Sequence, residues 1–302
     1  MESEGLKEQY LENFEEFFQR AIATGDKRES WRLTQEPMYR GEGSDKRDLI
    51  PVALREDKLK SNLEREQVNH ELVLLERMWR KLYREGYQMA IGKDTMRRYF
   101  LNDGLIPEDM ENWIPKDLAE LVAFGQHHGM PTRLLDFTRD KWVAMRFAAE
   151  SALRRNLRLI EFGKDIKNER IALWEMQSQF ADKLKKFGID MPLKRITPNY
   201  TMNPNAFAQQ GVLLHWEVSA PFDCLTDKRS LNKKISDFLQ EYEFHYEPVL
   251  TKFTIPATDC AKILKRLNQF GYTASKLFPG GEGILKEIKE EDAIQRFESM
   301  LG

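Results

Sequence analysis

Cysteine is nearly missing: Cys224 and Cys260 are the only two in 302 residues. Two thiols cannot build a disulfide framework or a four-thiolate zinc site, and they fit a reducing, cytoplasmic setting. Histidine is scarce as well, with five residues. His127 and His128 are adjacent and chelate poorly as a pair, and His70, His215 and His245 are remote in sequence, so no metal site is expected. No run approaches the ~18 consecutive apolar residues of a membrane-spanning helix. The opening MESEGLKEQYLENFEEFF is acidic and lacks the basic-then-apolar order of a signal peptide. Neither GxGxxG nor GxxxxGK(S/T) occurs, so the glycine-rich phosphate loops of the Rossmann and P-loop folds are excluded. An excess of one charge is also missing: 47 Lys and Arg face 49 Asp and Glu, a formal charge of -2. That disfavours broad, non-specific nucleic-acid binding and leaves room for a local basic cleft.

What is present is apolar periodicity. Tyr10, Phe14, Phe17, Phe18 and Ala21 recur at helical spacing and predict a helix over 8–24. Leu63, Val68, Leu72, Leu75, Met78, Trp79 and Leu82 form a stripe on a charged helix over 58–85. Further helices are expected at 94–103, from Asp117 to His127, and at 140–155, 178–187, 226–240, 258–270 and 284–297. Extended segments are expected at 31–40, 133–138, 171–176, 211–218 and 241–255, with a long loop over 188–210. Strands and helices do not alternate regularly, so the expected class is α+β: a mixed or antiparallel sheet with peripheral helices. The expected division is a helical segment over 1–29 and one domain over 30–302, with a helical segment inside it at about 58–125.

The densest polar constellation is the run Gln126 to Thr138, QHHGMPTRLLDFT. Gly129 and Pro131 force a turn between helix and strand that can present Thr132 and Arg133 at a sheet edge. Asp136 can pin an arginine or orient a histidine, and an internal hydrogen-bond network fixing the corner is an equal alternative. Arg40-Gly41 is the second candidate, because a guanidinium can hold a phosphate or a ribose hydroxyl where the backbone passes close to a ligand.

Met38-Tyr39-Arg40-Gly41, the run 126–138 and the alanine-rich Trp142–Ala149 together resemble the FRG domain family, named for an aromatic-Arg-Gly motif. The family's second signature is QHHGxPTRLLDxT, matched here at nearly every position, with Phe137 where a tryptophan is often found. Ala208-Gln209-Gln210-Gly211 is similar to the family's AQxGxF element, and KFTIP at 252–256 and Leu277-Phe278-Pro279 extend the likeness. The layout also looks like a distant relative of ADP-ribosyltransferases. That resemblance implies a cleft for nicotinamide dinucleotide (NAD) between small sheets, an arginine on a first strand, a serine or threonine on a second and an acidic residue on a later one. Under it, Arg40, Thr138, Gln210 and Glu217 are catalytic candidates, and Tyr39, Arg40, Gly41, His127, His128, Thr132, Arg133 and Asp136 would bind the cofactor. Glu241 and Glu243 are alternative carboxylates. The resemblance implies a bacterial or phage-related toxin or defence component that modifies a protein or nucleic-acid acceptor. The alternatives are a non-catalytic nucleotide- or nucleic-acid-sensing module, and a structural protein docking a partner through the 58–85 helix.

Overall fold

A computed structural model describes residues 5–23, 37–87, 91–101, 105–200, 203–243 and 248–301. Strand β1 (Leu6–Tyr10) and helix α1 (Phe14–Ala23) precede β2 (Met38–Glu42). Then come α2 (Glu64–Arg84), α3 (Lys93–Phe100), β3 (Asn112–Trp113) and α4 (Ala119–His127). A turn leads into β4 (Leu135–Thr138), α5 (Lys141–Glu161) and β5 (Arg170–Met176). The chain continues through α6 (Phe180–Lys186), β6 (Leu193–Ile196), α7 (Pro204–Ala208), β7 (Gly211–Trp216) and β8 (Val218–Ser219). It closes with α8 (Leu231–Glu241), β9 (Leu250–Pro256), α9 (Cys260–Gln269), α10 (Ala274–Leu277) and α11 (Gly281–Leu301).

Among the described residues, seven strands form one sheet in the order β1-β9-β5-β2-β4-β7-β6. Among these described strands β1 and β9 pair in parallel, and the other neighbours are antiparallel. The expected α+β class with an antiparallel core sheet and peripheral helices is therefore observed. On one face, α1, α5 and α9 cover Ile171, Leu173 and Ile255. On the other, Met38, Leu135, Phe137, Trp174 and Leu214 pack with α6 and α8. A third cluster joins α2, α3 and α4 to Leu134 and Leu213. Among the described residues no helix is long and apolar enough to cross a membrane.

Helix α5 lies unusually close to β2. A Cβ on Gly41 would stand 1.9 Å from the Ala144 carbonyl oxygen, and one on Gly43 would stand 2.4 Å from Ser151 Oγ. Ala144, Ala148, Ala149 and Ala152 are all buried at this contact. The glycine of the Arg-Gly pair is thus required by the approach of a helix to a strand. The Asp140 carboxylate caps α5, accepting from the Trp142 N–H at 2.8 Å. Buried Arg146 fastens α5 to the C-terminal helices, donating to Asn268 Oδ1 (2.7 Å) and to Glu290 Oε2 (2.6 Å).

Several sequence expectations are corrected. The helix expected over 8–24 begins only at Phe14, because Leu6–Tyr10 pairs with β9 along its whole length. The strand expected from 241 does not form at its start. Glu241 ends α8, where Ser230 caps an amphipathic helix with Leu231, Ile235 and Leu239 inward. The rings of Phe238 and Tyr242, four apart on that helical path, lie 4.7 Å from each other. Glu243 has φ 50°, and 244–247 fall outside the described residues, as do 31–36 of the expected segment 31–40. The loop expected over 188–210 contains β6, which completes the sheet beside β7, and α7, which Asn203 caps with Pro204 in the first turn.

Candidate functional site

Strands β2 and β4 touch at one aligned pair only, Tyr39 with Thr138. Beyond it the sheet parts into the halves β1-β9-β5-β2 and β4-β7-β6. Strand alternation sends Arg40 to the same face as Met38 and Glu42, beside the parting. Its Nε donates to Glu42 Oε1 at 2.9 Å, and its Nη2 stands 2.8 Å from the same oxygen. Its Nη1 donates to the Asp136 carbonyl at 2.8 Å and lies 3.8 Å from Asp136 Oδ2. The guanidinium therefore occupies the gap where ladder bonds between the two strands are missing. The Arg40 side chain is 16% exposed, and that of Asp136 69% exposed.

Gln126, at the end of α4, donates from Nε2 to Asp136 Oδ1 at 2.8 Å and accepts from the Thr132 hydroxyl. Thr132 Oγ1 in turn accepts from the Leu134 N–H at 3.1 Å, which fixes the turn created by Gly129 (φ 83°). His127 and His128 are exposed at the same corner, their rings 5.1 Å apart. Partial burial and the neighbouring His128 hold the His127 imidazole below its ordinary pKa, against the pull of Asp136 and Glu282. Tyr39 and Gly41 turn to the α5 face, where Tyr39 packs half-buried against the first core.

Strand β7 brings the last element. Thr138 pairs with Gly211, so Gln209 and Gln210 stand at the open end of β7 beside Thr138. The Thr138 hydroxyl donates to the Gln209 carbonyl at 2.6 Å, and the Arg139 N–H donates to the Gln210 carbonyl at 3.2 Å. Gln210 is exposed and has φ 49°, a left-handed conformation that disfavours a residue with a Cβ. Arg40 and Asp136 thus meet at the parting of the sheet, whereas Thr138 shares the α5-side face of its partner Tyr39 and Gln210 lies past that pair, beside Arg139.

Residues 35–156 match the FRG domain family. No curated protein and no solved structure matches the chain. The FRG segment runs from just before β2 into α5, so it contains Arg40, Gln126, Asp136 and Thr138, whereas Gln210 lies beyond it.

Within the FRG segment, Arg133 takes a different place from Arg40. It is 4% exposed and closes on α2. Its Nε lies 2.9 Å from both Glu71 carboxylate oxygens, and its Nη1 lies 2.6 Å from Glu64 Oε1. Trp113 Nε1 and Gln67 Nε2 donate to the same Glu71 carboxylate at 2.6 and 2.7 Å. Burial works against the Arg133 charge, but Glu71 and Glu64 outweigh it and the pKa is raised. Glu64, Gln67 and Glu71 accompany the apolar stripe of α2, so part of this helix's polar face is turned inward to bind the FRG turn.

Glu217 stands beyond the other end of β7 from Gln210, 3.4 Å from Lys194 Nζ, and does not join the parting. Glu241 and Glu243 lie at the end of α8. Among the described residues no cluster of three or more His, Cys, Asp or Glu side chains is placed to hold a metal. One site residue was missed in the sequence: Glu42, the counter-ion of Arg40, is signalled by its spacing of two on a strand. Gln126, which links Asp136 to Thr132, opens the run 126–138, where the sequence gives it no role of its own.

Proposed function

We propose that the protein binds a nicotinamide dinucleotide at the parting of its sheet and breaks the nicotinamide–ribose bond, as an ADP-ribosyltransferase-like enzyme. The observation that carries this reading is the contact of Arg40 with Asp136 at the parting, where the Asp136 carboxylate stays exposed, with Thr138 and Gln210 at the adjoining ends of β4 and β7. The resemblance to ADP-ribosyltransferases implies an arginine on a first strand, a serine or threonine on a second and an acidic residue on a later one, where this chain has the amide of Gln210. Arg40 and the exposed His127 and His128 would meet the phosphates and ribose hydroxyls. As the C1′–N bond breaks, its electron pair leaves with nicotinamide and positive charge grows on the ribose. Asp136 supplies the negative charge that the Gln210 amide lacks, and Gln210 holds a ribose hydroxyl. The acceptor's nucleophile then bonds to C1′ and gives up its proton. Thr132 and Arg133 act by positioning the turn that carries Asp136.

The test mixes the purified chain with dinucleotide labelled in its nicotinamide ring and measures free nicotinamide. Release that falls ~100-fold or more in Asp136→Asn supports the reading. A second reading, a non-catalytic module, is favoured by one observation: the Arg40 guanidinium is already engaged by Glu42 and the Asp136 carbonyl. It expects dinucleotide binding, or none, with no free nicotinamide.

A further inference from the structure

The apolar stripe of α2 faces the core, with Val68, Leu72, Leu75 and Trp79 buried. Over its last two turns the opposite side is strongly basic. Counted from Arg77, the residues Arg80, Lys81 and Arg84 follow at three, four and seven positions, which places four cations on one arc of the helix. No acidic residue occurs between Arg77 and Arg84. Arg80 is engaged by Glu76 at 2.6 Å and by the Phe100 carbonyl at 2.9 Å, which ties the end of α3 to this arc. Among the described residues, exposed Arg77, Lys81 and Arg84 have no ion-pair partner. Arg97, likewise exposed and unpaired, is one turn before Phe100 on α3. These open cations gather on a chain whose formal charge is -2.

An aromatic platform adjoins the arc. Tyr83 is 70% exposed, three positions after Arg80. One face of its ring stacks on Trp79, with centroids 5.4 Å and planes 25° apart, and Trp79 stacks in turn on Phe100 at 5.3 Å. Among the described residues the other face of Tyr83 carries no ring contact. A buried tryptophan thus braces an exposed ring, which has little freedom left to lose when a planar group stacks on it.

From the arc of unpaired cations and the braced ring beside it we propose that the last two turns of α2 bind a single-stranded nucleic acid. Arg77, Lys81 and Arg84 meet phosphates, and an unpaired base stacks on Tyr83. Arg77 to Arg84 spans about 10 Å of helix, the length of about three stacked nucleotides. A lipid surface is the poorer occupant, because a helix lying on a membrane inserts its apolar face and that face of α2 is in the core. A duplex is poorer as well, because its bases are already stacked and paired and none is offered to Tyr83. The surface shares neither Arg40 nor Asp136, so it stands apart from dinucleotide chemistry.

The test follows the anisotropy of a labelled oligothymidylate on the full chain, without dinucleotide, over ~50 to ~200 mM salt. An abasic oligomer of the same length and charge is the control. The oligothymidylate should bind at least ~5-fold more tightly than the abasic oligomer. Tyr83→Ala should remove that preference, and Tyr83→Phe should keep it. Arg77→Ala combined with Arg84→Ala should make the dependence of log affinity on log salt shallower by about 1.4, since each lost phosphate contact removes about 0.7. No binding at ~50 mM salt would overturn the assignment, as would equal affinity for the abasic oligomer. Tighter binding of a duplex of the same length, or of phosphatidylserine vesicles at matched charge, would overturn it too. If a variant does not fold, the comparison of these probes on the unmodified chain decides.

Discussion

Replacing Arg133 by methionine separates a structural arginine from a ligand-binding one. The substitution keeps the length of the side chain and removes its charge. It leaves the Glu64 and Glu71 carboxylates, 1% and 7% exposed, without their cation. Removing one partner of a buried ion pair costs about 3–5 kcal/mol, because the remaining charge stays out of water unpaired. Two carboxylates are stranded here, so the upper part of that range applies. Trp113 and Gln67 still donate to Glu71 and offset part of the loss. The assay is urea denaturation followed by tryptophan fluorescence, with the midpoint falling at an unchanged slope. The double variant Arg133→Met, Glu71→Leu should recover part of the loss, since one stranded charge is gone. A single variant within about 1 kcal/mol of the parent would refute the structural role. If Arg133 instead served a phosphate, the same substitution would spare stability and abolish binding.

Gly41→Ala should destabilise the fold by about 1–3 kcal/mol or more, since its Cβ meets the α5 backbone at 1.9 Å; thermal denaturation checks this. Gln210→Gly should stay within about 1 kcal/mol of the parent, because relief at φ 49° offsets the added freedom of the unfolded chain. Under the proposed function that variant still loses nicotinamide release, which a denaturation curve and an activity assay on one sample would reveal. His215 carries an acid-sensitive share of stability. Its folded pKa of about 4 lies below the ordinary 6.5, so the unfolded chain binds the extra proton, and stability falls as pH drops from about 6.5 towards about 4. The loss amounts to about 3 kcal/mol, and His215→Phe should flatten that part of a stability–pH curve.

The class of fold was legible because helical stripes such as that of α2 and short apolar runs such as 171–176 carry their periods openly. The errors fall where tertiary contact overrides the local pattern. Leu6–Tyr10 is a strand only because β9 offers an edge, and 193–196 only because β7 does. Tyr242, Phe244 and Tyr246 alternate like a strand, yet Tyr242 is taken by a tilted ring contact with Phe238 at the end of a helix. At the candidate site, the motif residues were identifiable but their separate roles were not. Arg40 and Arg133 are both arginines in conspicuous runs. What divides them is their partners, Glu42 and Asp136 for one and Glu64 and Glu71 for the other, the latter brought from a helix more than sixty positions upstream. Gly41 invited a ligand by its lack of side chain, and the space it leaves is filled by Ala144.

The most direct measurement is nicotinamide release from labelled dinucleotide by the intact chain, run beside Asp136→Asn and Gln210→Gly with the folding of each confirmed by denaturation. Release by the parent chain that collapses in both folded variants is the expected result. Release that is absent from the parent, or unchanged when Asp136 and Gln210 are replaced, would contradict the assignment of chemistry to the parting between β2 and β4.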